Sequence, residues 1–307
     1  MAAQADPFAA TGTWLRCALH AHTTRSDGEL SPEELVELYE RVGFDVLAIT
    51  DHWVRTEAPS TDQLLVIPSS ELSCRLPGEA DGHLLAFGIG ADPLEFVRTR
   101  PDLADAAAWV REHDGVAYLA HPYWTGTPSS ALFLGDGVAG IEVYNAGCEL
   151  EVGRGLSSVH WDDLLERSIG CFGIAADDSH HAERDSGFAW VWARVPERSA
   201  AAVLDALATG RFYSSTGPVL HELRVEEASV EVGCSPCRRI TLCTGRKRGT
   251  SVSSGPAGYR YGGEILSESD DAEITRARLE RPARSPYGRL ELVDPYGRKA
   301  WTNPLWG

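Results

Sequence analysis

The stretch LRCALHAHTTRSDG, residues 15–28, ends an apolar run with two histidines two positions apart and adds an aspartate five residues later. Residues two apart on a β-strand point to the same side of the sheet, so the imidazoles of His20 and His22 can reach one metal ion. An isolated pair of this kind is more often structural, with both rings hydrogen-bonded to solvent or protein. The rest of the sequence has to separate these two interpretations.

Short apolar runs alternate with helical patterns over the first two thirds of the 307-residue chain. This alternation is typical of βα units built around a parallel sheet. The clearest helix is SPEELVELYERVGF, where Ser31 suits the N-cap, Pro32 the first helical position and Glu34 a capping box. The predicted strands are residues 15–22, 45–50, 64–70, 83–89, 116–120, 140–145 and 171–176. Seven such strands predict a closed or nearly closed barrel.

The pattern changes after Gly217 and Pro218, where helical periodicity fades and alternating stretches such as HELRVEEASVEV take over. We therefore predict a barrel domain over residues 12–217 and a small antiparallel β-domain over residues 218–307. A β-rich extension packed on the barrel is the alternative for the second part.

Acidic and histidine side chains recur at the ends of the predicted strands. Asp51 and His52 follow the second, Glu71 the third, His121 the fifth, and Asp178 and His180 the seventh. In a βα barrel the carboxyl ends of the strands carry the active site. His83 is the exception, because it opens the fourth run. The repeated placement favours a metal site over the structural interpretation of His20 and His22.

The uneven distribution of charged residues argues against some classes of function. Residues 1–220 hold 33 acidic and 14 basic side chains, a balance of −19, within a chain of net charge −17. This excess repels phosphate backbones, which argues against a nucleic acid polymer as partner, and it suits bound cations.

No apolar run approaches the roughly 18 residues of a membrane span. The first residues lack a signal-peptide pattern, so we expect a cytoplasmic enzyme acting on a small molecule. The oligomeric state is left open.

The motifs HAHTTRSDG, ITDH, SSELS, AHP and DDSH resemble, in order, the successive motifs of the PHP (polymerase and histidinol phosphatase) superfamily. The resemblance covers roughly residues 14–217. The stretches GRFYSSTGP and GRKAWTNPLW further resemble the CehA/McbA-like branch of metallohydrolases.

The resemblance implies a distorted (β/α)7 TIM-like barrel that holds two to three divalent ions, of zinc, manganese or iron. By motif, the first ion would take His20, His22, Glu71 and Asp178. The second would share Glu71 and add His83 and His121, and the third would take Asp27, His52 and His180. Asp27 stands where some family members have a histidine. Its alternative role is that of a turn residue before Gly28.

This set predicts a metal-dependent hydrolase, because divalent ions lower the pKa of water and supply hydroxide near neutral pH. We expect a phosphoesterase acting on a small mono- or diester, with hydrolysis of a carbamate, ester or amide as the alternative. A catalytically inactive PHP binding module is the second alternative. The catalytic residues would be His20, His22, Glu71, Asp178 and His180.

Other side chains beside the motifs are candidates for supporting roles. Those for substrate binding, where the substrate can be anionic, are Arg25, Trp53, Tyr123, Arg184 and His181, and Trp124 is a candidate pocket wall. Glu142, on the sixth predicted strand, is a candidate pocket residue. Asp51 is expected either to accept a ring N–H from a ligand histidine or to fix its strand end.

Overall fold

The computed structural model describes residues 7–76, 81–182, 184–255 and 258–306. The strands are β1 (Thr13–Ala18), β2 (Val46–Ile49), β3 (Leu65–Arg75), β4 (Asp81–Phe87), β5 (Val116–Leu119), β6 (Val138–Asn145), β7 (Phe172–Ala176), β8 (Trp190–Val195), β9 (Phe212–Ser215), β10 (Leu220–Val225), β11 (Ser229–Cys237), β12 (Arg239–Thr244), β13 (Gly249–Ser253), β14 (Arg260–Tyr261), β15 (Gly263–Glu268), β16 (Ile274–Glu280), β17 (Gly288–Val293) and β18 (Lys299–Thr302). The helices are α1 (Pro32–Arg41), α2 (Leu94–Val97), α3 (Leu103–Glu112), α4 (Ala146–Val152), α5 (Ser158–Glu166) and α6 (Ala200–Thr209).

All seven predicted strands are present, and α1 begins with the capping box that its sequence predicts. Ser31 accepts a hydrogen bond from the backbone N–H of Glu34, whose carboxylate accepts one from the N–H of Ser31. The helix buries an apolar face against the sheet, formed by Leu35, Val36, Leu38 and Tyr39.

The large sheet is mixed. Strands β1, β2 and β3 pair in parallel, and so do β5, β6 and β7. Between these groups β4 runs antiparallel to both β3 and β5. In the described ranges, helices separate β1 from β2, β4 from β5 and β6 from β7, whereas β3 follows β2, β4 follows β3 and β6 follows β5 without one. The prediction of βα units therefore holds for only part of the sheet.

Across the described residues the structure shows no closed barrel, so the predicted distorted TIM-like barrel, closed or nearly closed, is not confirmed. Strand β1 pairs with β2 on one side and with the antiparallel β8 on the other, so the edge that would close on β7 is already occupied. In the described ranges, an isolated bridge between Ala21 and Ser179 links the segments beyond the ends of β1 and β7. The backbone N–H and C=O of Gly173 in β7 are paired instead with the side chains of Asn303 and Ser214. Side chains thus cover part of an otherwise open edge.

The strands after residue 218 divide between two sheets. β10, β11, β16 and β15 form a four-stranded antiparallel sheet. β12, β13, β14, β17 and β18 extend the large sheet, because β18 pairs with β9, which pairs with β8. Apolar side chains from both sets of strands form one core cluster.

A buried ion pair joins this C-terminal region to α5. The guanidinium of Arg289 in β17 donates two hydrogen bonds of 2.8 Å to the two oxygens of Asp162 and lies over the ring of Trp161. The side chain of Arg289 is 2% exposed, so Asp162 compensates a charge held away from water. None of the helices in the described ranges has the length and apolarity to cross a bilayer.

Candidate metal centre

The nine predicted ligands lie around one pocket at one edge of the large sheet. His20 and His22 follow β1, His52 follows β2, His121 follows β5, and Asp178 and His180 follow β7. The strands β1, β2 and β3 are parallel to one another, as are β5, β6 and β7. Because β4 lies antiparallel between the two groups, all six strands point the same way and their carboxyl ends meet at the same edge. The pocket is lined by Asp27, His52, Glu71, His83, His121, Trp124, Gly147, Cys148, Glu151, Asp178 and His180.

Glu71 is the centre of the cluster. Its Oε2 lies 3.2–3.3 Å from three imidazole nitrogens, and its Oε1 lies 2.8 and 3.1 Å from two others. The nitrogens near Oε2 belong to His20, His22 and His52, and those near Oε1 to His83 and His121. A buried carboxylate whose two oxygens face different sets of imidazoles can bridge two cations.

His83 joins the cluster because β4 is antiparallel. The start of β4 therefore lies at the same edge as the ends of its neighbours, and His83 pairs in register with Ser73 of β3. Its Nδ1 lies 2.8 Å from Glu71 Oε1. A histidine that opens a strand is thus brought to the same edge as those that close one.

His20, His22, Glu71 and Asp178 form a four-cornered cage. Asp178 Oδ1 lies 3.1 Å from the Nε2 of His20 and 3.2 Å from that of His22, and Glu71 Oε2 lies 3.2 Å from both. A tetrahedral zinc ion with bonds of about 2.0–2.1 Å would hold its ligand atoms about 3.3 Å apart. The four donor atoms therefore have the spacing of a metal site.

Two further groups share members with this cage. The ligand atoms of His52, Glu71 and His83 lie within 4.8 Å of one another, and so do those of His22, Asp27, His52 and His180. The structure thus places His52 between the expected second and third sites. His22 has Nε2 toward the cage and Nδ1 3.4 Å from Asp27.

Asp27 lies on a turn whose shape is fixed by Asp51. The carboxylate of Asp51 accepts hydrogen bonds from Thr23, Ser26 and Thr56, which matches the expectation that it fixes its strand end. Gly28 completes the turn, because a Cβ there would lie 2.2 Å from the carbonyl oxygen of His22. The turn places Asp27 Oδ2 3.5 Å from the Nε2 of both His52 and His180. Asp27 is both a turn residue and a member of the cluster.

The segment after β7 is held by two other carboxylates. Asp177 accepts hydrogen bonds from the hydroxyl of Tyr39 and the backbone N–H groups of residues 187–189, and burial raises its pKa to about 6. Asp185 accepts the N–H groups of His180 and His181. Asp178 lies between them with φ of 56°, a strained backbone of the kind concentrated at functional sites.

The charges of the cage are strongly coupled. Burial alone would lower the pKa of His20, but Asp178, Glu71 and Glu142 raise it well above its usual value. Burial would raise the pKa of Glu71, but the neighbouring His83 and His20 lower it well below its usual value. The buried carboxylates therefore create a field that favours positive charge at this position.

The cage also contains polar atoms that need a partner. Within the described residues, His20 Nε2, His22 Nε2 and Asp178 Oδ1 are buried with no hydrogen-bond partner, as are the Nδ1 atoms of His52 and His83. Buried polar atoms without partners cost stability, and divalent cations in the cage and in the group of His52, Glu71 and His83 would satisfy all five. The donor set, its spacing and its field therefore fit metal ions.

The predicted substrate-binding residues lie farther out. Trp53 is 45% exposed, and its ring centroid lies 5.8 Å from that of His52. The Tyr123 ring packs near His160 instead, and Arg184 lines a separate groove beside α1. Arg25 shares the turn of Asp27, and His181 follows His180. In the described ranges, none of the five lines the metal pocket.

Trp124 does line this pocket, with its ring 5.0 Å from that of His121 in an edge-to-face arrangement. Sequence reasoning missed Cys148 and Glu151 of α4, which also line it, and Asn145, which ends β6. The strand-end position of Asn145 was the signal that could have found it. Glu142 lies behind the pocket wall and is fully buried.

No protein-family model matches the sequence, and no curated protein matches it. The fold is similar to that of a two-domain protein from Bacteroides vulgatus described as containing a predicted PHP-like metal-dependent phosphoesterase. The identity is 17%, the match covers 98% of each chain and the TM-score is 0.53. This similarity shows a shared fold over nearly the whole chain.

Two other similarities are weaker. A putative metal-dependent phosphoesterase from Bifidobacterium adolescentis matches at 17% identity over 56% of this chain and 90% of its own, with a TM-score of 0.43. A lesion-specific endonuclease from Pyrococcus furiosus matches at 13% identity over 64% of this chain and 56% of its own, with a TM-score of 0.44.

Proposed function

We propose that this protein is a metal-dependent hydrolase of the PHP superfamily. The observation that carries the proposal is the position of Glu71, whose two oxygens face five imidazole nitrogens at 2.8–3.3 Å. A cluster of this composition fits two or three divalent ions, of zinc, manganese or iron. The nine residues of the sequence motifs would hold them.

Divalent ions lower the pKa of water and stabilise negative charge that develops on oxygen, which is the chemistry that hydrolysis requires. The protein's own contribution is to position the residues that would hold the ions. His20, His22 and Glu71 are almost fully buried and would hold one ion away from solvent. Asp27 is 52% exposed and leaves the outer group open to substrate and water. The chain would therefore supply a buried inner site and a more accessible outer one.

For the reaction we propose hydrolysis of a small phosphate mono- or diester. The fold similarity to a protein described as PHP-like is in line with this reaction. No lysine or arginine lines the pocket in the part of the chain that the structure describes. A phosphoryl group would therefore be held by the ions and the imidazoles. The acidic surface of residues 1–220 disfavours a nucleic acid polymer as substrate.

Hydrolysis of a carbamate, ester or amide is the second candidate. The absence of lysine and arginine from the lining, among the described residues, and the half-exposed indole of Trp124 suit a neutral scissile group with an apolar part. The same candidate agrees with the resemblance to the CehA/McbA-like branch. An inactive binding module is less well supported, because such a module is expected to lack several ligands and this chain has residues able to bind metal at all nine positions.

The test combines metal analysis with a set of assays. Protein loaded with zinc, manganese or iron is assayed on p-nitrophenyl phosphate, bis(p-nitrophenyl) phosphate, p-nitrophenyl acetate and an aryl carbamate. We expect turnover of at least one, strongest on a phosphoester, and its loss in His20→Ala and Asp178→Ala. Full metal content and full activity in those two variants, with the fold intact, would refute the ligand assignment. Faster turnover of the carbamate or acetate would favour the second candidate.

A further inference from the structure

Glu142 lies behind His20, on the side away from the pocket. It is fully buried in β6, and its Oε1 lies 2.7 Å from the Nδ1 of His20. Its Oε2 accepts hydrogen bonds from the backbone N–H of His121 at 2.8 Å and from Nδ2 of Asn145 at 2.9 Å. One carboxylate therefore contacts two of the predicted ligands directly.

This contact selects the tautomer of His20. An ionised carboxylate is an acceptor only, so the His20 ring must present Nδ1–H to it. When the ring is neutral, as metal binding requires, the lone pair is then on Nε2, the nitrogen that faces Glu71 and Asp178 at 3.2 and 3.1 Å. The Glu142 contact thus presents His20 in the form that binds metal.

Asn145 extends the same network to Asp178. Its Nδ2 donates to Glu142 Oε2 at 2.9 Å and to Asp178 Oδ2 at 3.0 Å, and its Oδ1 accepts the N–H of Cys148 at 2.9 Å. The side chain is fully buried. One amide therefore joins two carboxylates that would otherwise repel each other, and it turns Asp178 Oδ1 toward the imidazoles.

We propose that Glu142 and Asn145 are positioning residues that set the affinity and geometry of the buried metal site. The inference rests on the proposed function, since it assumes that the cage of His20, His22, Glu71 and Asp178 binds metal. Glu142 fixes His20, and its bond to the backbone of His121 ties a third strand end to the same carboxylate. Removing either positioning residue would leave the ligands present but misdirected.

Glu142→Gln removes the negative charge and one acceptor oxygen but keeps the shape of the side chain. Three donors face this side chain, and an amide offers one acceptor oxygen and one donor group, so it cannot satisfy all three. Loss of such a partner weakens metal binding by about 10- to 100-fold. Asn145→Asp is the second variant. It keeps an acceptor for Cys148, and thus the cap of α4, but loses both donated hydrogen bonds.

The experiment measures zinc affinity by competition with a chromophoric chelator, for the wild type, both variants and the control Glu149→Gln. Glu149 lies on α4 and bonds the N–H of Gly155, outside the cage. We expect weaker affinity of about 10- to 100-fold in both variants and an unchanged value in the control. A correlation spectrum of the imidazole nitrogens should show His20 as the Nδ1–H tautomer in the zinc-loaded wild type, and the Nδ1–H signal should shift in Glu142→Gln because the carboxylate partner is gone.

Two outcomes would contradict the proposed function or this inference, and they can be told apart. A wild type that binds no divalent ion overturns the proposed function and this inference together. A wild type that binds zinc, with folded variants that bind it equally well and show an unshifted His20 Nδ1–H signal, overturns this inference alone. If Glu142→Gln does not fold, Asn145→Asp decides the outcome.

Discussion

The metal-free cage should make the protein less stable as the pH rises. Burial lowers the pKa of His22, but the nearby Asp178 and Glu71 outweigh it and raise the pKa from 6.5 to about 9. A group whose folded-state pKa exceeds its unfolded value stabilises the fold fully below the lower pKa and loses that contribution as the pH passes the higher one. The loss should therefore fall between pH 6.5 and 9.

The size of the effect follows from the shift. Each pKa unit corresponds to about 1.4 kcal/mol, so His22 alone contributes about 3 kcal/mol that disappears over this window. The pKa of His20 is raised as well and acts in the same direction. With a denaturant slope of about 3 kcal/mol per molar urea, the unfolding midpoint should drop by about 1 M.

Urea unfolding at pH 6.5 and pH 9, with chelator-treated and metal-loaded protein, measures this change. Metal binding needs neutral imidazoles, so its stabilisation grows with pH and the two preparations should diverge. His22→Asn should reduce the fall, and His113→Asn, which changes a histidine outside the cage, should keep it. A midpoint of the metal-free protein that stays constant or rises toward pH 9 would refute the charge balance described for the cage.

Three further predictions concern single residues. Asp178→Asn should remove one corner of the cage and lower metal content by at least one equivalent by elemental analysis; retention of the full complement would contradict its role. Asp27→Ala should lose metal from the outer group and keep the ion of the buried cage, so a loss of all bound metal would show that the groups are not separable. Asp162→Asn should leave the buried Arg289 with Glu291, 3.8 Å away, as its remaining carboxylate and lower the free energy of unfolding by about 2 kcal/mol, measured with urea. A change below about 0.5 kcal/mol, the range of ordinary surface substitutions, would place that pair outside the stabilising contacts.

Much of the site could be predicted because its signals are local. The period of two on a strand places His20 and His22 on one side, and residues that follow a strand in a βα unit lie at one edge of the sheet. Neither property needs knowledge of which strands pair. The strands, the capped helix α1 and the set of candidate ligands therefore followed from the residues and the resemblance that they carry.

Which distant strands pair, and in which direction, could be learned only from the tertiary structure. The antiparallel β8 occupies the free edge of β1, and this pairing prevents the ladder that would close a barrel. The antiparallel direction of β4 explains why His83 reaches the cluster from the start of its strand. In the network behind the cage, Glu142 lies 122 positions from His20, and Asn145 lies 33 positions from Asp178. Local periodicity fixes which way a side chain points, but contacts between distant segments depend on how the whole chain packs. The sequence therefore indicated the candidate ligands, and the fold determined which side chains hold them in place.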